Sequence, residues 1–197
     1  MAAKDSSASC PSSSPSARAT EVGEAPGVGA FGPVVPRAAR KGTAVEPASA
    51  ADIPALVLLM EAFYLESAQA LDRPWATKGF STLLADPALG GAWLLRRDGQ
   101  AAGYTVLTVG FSMAYGGMTG CIDDLFVCPE HRRHGLGTAA LNAALAECRR
   151  RGLLALQVEV GRDNRSAIRL YQPCGLRLRA DGRLVLRVDL SAAATDA

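Results

Sequence analysis

The sequence predicts one α/β domain over residues 43–190, and three features carry that expectation. Segments of helical and of strand periodicity alternate along the chain. The run GGAWLLRRDGQAAGYTVLTVGF, residues 90–111, breaks at Asp98–Gly99, a dipeptide suited to a two-residue β-hairpin turn. The run CIDDLFV, residues 121–127, is apolar on both alternating faces apart from two aspartates, the mark of a central strand covered on both sides.

The elements follow in order. TAVEP, residues 43–47, reads as a strand leading into a helix, with Ser49 and Asp52 at capping-box spacing and Pro54 in the first turn. Leu56, Leu59, Met60 and Phe63 then recur at helical intervals. A second helix is expected over Thr77–Ala85, stopped by Asp86–Pro87. The hairpin follows, and YGGMTG, residues 115–120, turns the chain into CIDDLFV. After the loop CPEHRRH comes a helix from about Gly135 to Arg151, with Leu141, Ala144, Leu145 and Cys148 along one face. Arg149, Arg150 and Arg151, followed by Gly152, close it as the helix dipole favours. LLALQVEV, residues 153–160, is a buried strand, NRSAIRLYQPCG starts a short helix at Asn164, and Asp181–Gly182 centres a terminal hairpin.

Residues 1–42 are dominated by Ala, Ser, Pro, Gly and Arg and cannot bury enough apolar surface to offset their ordering entropy, so a disordered tail is expected there. Asp5, Glu21 and Glu24 count against a transit peptide, whose composition is poor in acids. Residues 191–197 read as a second disordered tail. Five cysteines without a CxxC pair fit a reducing, cytoplasmic compartment. No apolar run approaches the ~18 residues of a membrane span, so no membrane partner is expected. Residues 46–124 carry nine Asp/Glu against four Arg/Lys, and residues 125–197 carry twelve basic against seven acidic side chains. One half suits a cation and the other an anion. Neutrality over the two together argues against nucleic acid as a partner.

VCPEHRRHGLGTAAL, residues 127–141, sets glycines at a helix start, where backbone amides and the helix dipole make an anion site. A nucleotide P-loop requires a Lys after the last glycine, and Gly137 has none. A dinucleotide turn is met formally by Gly135, Gly137 and Ala140, with Glu159 downstream. That turn should follow its strand directly, whereas seven residues separate Val127 from Gly135. His131 and His134 lack the further ligands of a metal site, and no metal is expected.

The motif Arg132-x-x-Gly135-x-Gly137 resembles the R/Q-x-x-G-x-G/A signature of the GNAT superfamily of N-acetyltransferases. Asn164, Ala167, Tyr171 and Gly175 fall in register with a second segment of that family, from which Pro173 and Leu176 depart. The resemblance implies a GNAT acyl-CoA N-acyltransferase fold, a mostly antiparallel central sheet with helices on both faces. It implies that the bound anion is the pyrophosphate of acetyl-CoA, held by Arg132, Arg133, His134, Gly135, Leu136, Gly137 and Thr138, with Asn164 also in the cofactor set. Phe126 and Val127 would offer backbone groups to the pantetheine arm.

Acetyl transfer to an amine requires a base for the ammonium proton and an acid for the departing thiolate. Each aspartate of CIDDLFV interrupts an apolar run at a desolvation cost, which makes the pair candidates for function. By resemblance Asp123 is the base and Asp124 orients the acceptor, and the reverse assignment stays open. Tyr171 is the candidate acid by the same resemblance. Glu61, Glu66, Asp72, Asp123 and Asp124 suit a small cationic amine as acceptor. Protein amines and aminoglycosides are the alternatives, as is a non-catalytic acyl-CoA-binding module. A homodimer is compatible with this reading.

Overall fold

Thr43–Pro47 forms the first strand (β1), antiparallel to Gly90–Arg97 (β2), which pairs antiparallel with Gln100–Ser112 (β3). Gly117–Val127 (β4) adds antiparallel to β3, and the short Leu156–Val158 (β5) lies parallel to β4. The sheet order is therefore β1-β2-β3-β4-β5, antiparallel but for its last pair. The computed structural model describes residues 42–177. The terminal hairpin around Asp181–Gly182, the tail over residues 191–197 and the N-terminal tail before Gly42 lie outside the described residues.

Among the described residues, four α-helices cover the sheet. Ile53–Glu66 (α1) and Arg73–Ala85 (α2) lie on one face, where Leu56, Leu59, Met60 and Phe80 close over Leu94, Tyr104, Val106 and Phe126. Leu136–Arg150 (α3) and Arg165–Tyr171 (α4) lie on the other, with Leu141, Ala144 and Tyr171 packed on Ile122, and Leu136 and Ala140 packed on Leu95. The mixed sheet with helices on both faces is the expected architecture.

Two elements depart from expectation. The second helix begins at Arg73 rather than Thr77, because Asp72 accepts from the Trp75 amide at 3.1 Å and Pro74 sits in the first turn. The strand expected over residues 153–160 is only three residues long. Before it, the amides of Leu153 and Leu154 bond to the carbonyls of Cys148 and Met118, tying that stretch to the end of α3 and the start of β4.

The detail that shapes the site is a β-bulge. Val106 pairs with Asp124, but the next residue, Leu107, pairs with Ile122, so Asp123 is an extra residue in β4. Simple alternation along β4 would put Ile122, Asp124 and Phe126 on one face, and the extra residue breaks that pattern. Ile122 and Leu125 join the α3 side, whereas Phe126 belongs to the α1 side and Asp124 reaches Tyr104 there. β5 pairs with β4 only from Gly120 to Ile122. From Asp123 onward that edge of β4 has no strand beside it among the described residues.

Candidate active site

The loop after β4 makes one 3-10 turn over Pro129–His131 and then runs extended at Arg132. Arg133 takes a left-handed conformation at φ 67°, and Gly135 does so at φ 89° as the N-cap of α3. The first intrahelical bond of α3 runs from the Ala139 amide to the Gly135 carbonyl at 2.9 Å. The amides of Leu136, Gly137 and Thr138 precede it, and no side chain caps them. Their donors and the positive helix end form a place for an anion.

The two glycines do different things. Gly135 holds a left-handed conformation that a side chain would strain, and no protein atom lies within 4 Å of a Cβ added there. A Cβ at Gly137 would stand 3.1 Å from a methyl of Leu170, so this glycine lets α4 pack closely on α3.

Arg132 was expected to lend charge to the pyrophosphate. Its Nε donates to the Val127 carbonyl at 2.8 Å, its guanidinium pairs with Glu66 on α1, and it lies 5.8 Å from the centre of the Phe126 ring. These contacts hold the loop against the end of β4. The Val127 carbonyl, expected to face the pantetheine arm, is the acceptor of that bond. Arg133 is exposed, and His134 Nδ1 lies 3.3 Å from the His131 carbonyl. Among the described residues no three His, Cys, Asp or Glu side chains gather as a metal site would require.

The aspartates occupy different environments. Asp123, expected to be desolvated, is exposed, because the bulge turns it out of the sheet. Asp124 is half-buried and accepts a hydrogen bond from the Tyr104 hydroxyl at 2.9 Å. Burial raises the Asp124 carboxyl above its ordinary range, the Tyr104 bond pulls it back, and the charge of Asp123 adds to the rise. Tyr64 on α1 is held protonated by burial, with the charges of Asp124 and Asp123 contributing. Burial, then Asp123 and Glu159, raises the Cys121 thiol, which sets Glu159 near the same opening past β5. Neither Tyr104, Tyr64 nor Glu159 stood out in the sequence as a site residue. The available signal for Tyr104 was a tyrosine inside the apolar run GYTVL, since a buried hydroxyl needs a partner.

The acidic surface expected to attract a cation is largely used internally. Glu61 forms a two-pronged pair with Arg73, Glu66 pairs with Arg132, and Asp72 caps α2. Asp123 and Asp124 are what remains of the five.

On the opposite face Tyr171 ends α4 among Ile122, Leu141, Ala144 and Cys174, and burial alone raises its hydroxyl. Phe126 is buried in the α1-side core. Asn164 uses its side-chain oxygen to cap α4, accepting from the Ala167 amide at 3.0 Å. Asp124 thus faces the α1 side of the sheet, whereas Tyr171 packs on the α3 side against Ile122.

A mixed sheet that parts beside an uncapped helix start describes an acyl-CoA N-acyltransferase fold. A family model described as "Acetyltransferase (GNAT) family" matches residues 57–176, and the chain belongs to that family. The [Ribosomal protein bS18]-alanine N-acetyltransferase of Escherichia coli (strain K12) is 29% identical over 102 residues, 52% of this chain. The chain spans 64% of that relative's length. An integron cassette protein from the mobile metagenome of Cole Harbour Salt Marsh is 41% identical with a TM-score of 0.67, over 74% of this chain and 90% of the other. A protein of Clostridium acetobutylicum described as a predicted acetyltransferase, solved with acetyl-CoA, shares the fold at a TM-score of 0.62 and 18% identity, over 74% of this chain and 96% of the other.

Proposed function

We propose that this chain transfers the acetyl group of acetyl-CoA to a primary amine by direct attack within a ternary complex. The observation that carries the reading is the parting of β4 from β5 at Asp123 among the described residues, together with the first-turn amides of Leu136, Gly137 and Thr138 at the start of α3. Those amides and exposed Arg133 would hold the pyrophosphate, and the unpaired edge of β4 would receive the pantetheine arm. Acetyl-CoA supplies an acetyl group activated as a thioester.

The chain's own residues supply the proton path. A carboxylate at the bulge, Asp123 or Asp124, takes the proton of the acceptor's ammonium and frees its lone pair. The nitrogen–carbon bond forms as the carbon–sulfur bond breaks. The Tyr171 hydroxyl gives its proton to the departing sulfur and is restored by the second proton that the nitrogen sheds on becoming an amide, and burial suits it to that task by keeping it protonated. No cysteine is required, since the amine attacks without an acyl-enzyme.

The acceptor we favour is a small cationic amine, held by Asp123 and Asp124. A second reading, the terminal amine of a protein, is favoured by the name of the Escherichia coli relative. A CoA-release assay with spermidine, kanamycin and a peptide beginning in alanine separates these. Turnover of spermidine is expected. Turnover of the peptide alone moves the acceptor to proteins, and CoA binding without turnover of any amine overturns the enzyme reading.

A further inference from the structure

We propose that Tyr104 is a positioning residue that makes Asp124, rather than Asp123, the carboxylate that deprotonates the acceptor. The proposal rests on the acetyltransferase reading above and divides the labour between the two aspartates, which that reading leaves open.

The geometry separates them. Tyr104 is fully buried in β3, its ring packed against Phe80 and Phe126, so its hydroxyl is held in one place. That hydroxyl donates to Asp124 Oδ2 at 2.9 Å. On the backbone side, the Thr105 hydroxyl donates to the Asp124 carbonyl at 2.9 Å, which fixes the residue at both ends. Among the described residues no hydrogen bond is made to the second carboxylate oxygen, Oδ1, so that it can serve the acceptor, and a single fixed hydrogen bond orients the group as a general base requires. Asp123 has no such support, because the bulge carries it outward.

The groups that act on the Asp124 carboxyl are few. Tyr104 faces it from β3, Asp123 neighbours it on β4, and Tyr64 from α1 responds to the charge of both. Glu159, past the end of β5, acts with Asp123 on Cys121 rather than on Asp124. Burial favours the protonated form of Asp124, so without Tyr104 more of it would be protonated at a given pH. Tyr104→Phe keeps the ring and its packing but removes the donor, so the Asp124 titration moves to higher pH. Asp123→Asn removes a neighbouring negative charge, so the same titration moves to lower pH. A purely structural Tyr104 would alter melting temperature and neither titration.

Two measurements on the full chain test this. The first needs no acceptor: NMR titration of carboxyl-13C-aspartate-labelled protein, with the Asp124 signal identified by its loss in Asp124→Asn. The expected result is a shift upward in Tyr104→Phe and downward in Asp123→Asn. An Asp124 titration unmoved by Tyr104→Phe overturns the positioning role. The second is the pH dependence of kcat/KM for whichever amine of the panel is turned over. Its acidic limb should follow the same two shifts, and Asp124→Asn should lower kcat by about 10²-fold or more. An acidic limb that survives in Asp124→Asn and vanishes in Asp123→Asn overturns the assignment in favour of Asp123. Failure of every amine to react overturns the acetyltransferase reading, while the NMR titration still judges the Tyr104–Asp124 pair.

Discussion

Arg132 reaches back five residues to donate its Nε to the carbonyl of Val127 at 2.8 Å, and its Nη2 engages Glu66 on α1. The first arginine of the glycine motif is thus a strut between the end of β4, the loop and a helix on the far face. Arg132→Ala removes a backbone hydrogen bond worth about 1 kcal/mol and an exposed ion pair worth less. A fall in Tm of several degrees is expected, with a smaller fall for Glu66→Gln. Thermal melts of both variants check the ordering, and an unchanged Tm in Arg132→Ala would remove the strut role.

Gly135 and Gly137 should fail differently. Gly135→Ala forces a side chain onto a residue at φ 89° with open space around it, at a cost of about 1 kcal/mol in strain. Relief of that strain would re-aim the amides of Leu136 to Thr138, so CoA affinity measured by calorimetry should fall with little loss of Tm. Gly137→Val instead drives into Leu170, the residue before Tyr171. Its expected signature is a lowered Tm together with a lowered kcat, as α4 is pushed from α3.

Tyr171→Phe keeps the contacts with Ile122 and Leu141 and removes only the hydroxyl. With the proton donor gone, kcat should fall by about 10²-fold while KM for acetyl-CoA changes little. Full turnover by this variant would assign the proton to another group or to water.

Glu147 supplies a prediction about acid stability. Its carboxyl accepts from Arg150 and from Arg151, and these partners hold it down to about 2 from an ordinary value of 4.5. Arg151 in turn donates to the Gly90 carbonyl at 3.0 Å, so the pair ties the end of α3 to the start of β2. The depressed carboxyl stabilises the fold fully above pH 4.5, and that contribution is lost as pH falls toward about 2. Denaturant midpoints measured across this window should drop less steeply in Glu147→Gln than in the natural chain.

What the sequence determined by itself was local. The capping residues Ser49 and Asn164, the Asp98–Gly99 turn, the helical periodicity of α1 and α3 and the glycine at the start of α3 all act within about four residues, and each is in place. The order of elements and the family resemblance were legible for the same reason, since both are patterns along the chain. Tertiary structure decided which face each aspartate meets and what the arginine holds. The bulge at Asp123 arises from the register between β3 and β4, and one extra residue reverses every side chain after it. The Tyr104–Asp124 bond joins residues 20 apart and the Arg132–Glu66 pair residues 66 apart. Partners so distant meet only through the packing of α1, β3 and β4, and no local spacing encodes which carboxylate is buried, which is exposed and which is already paired.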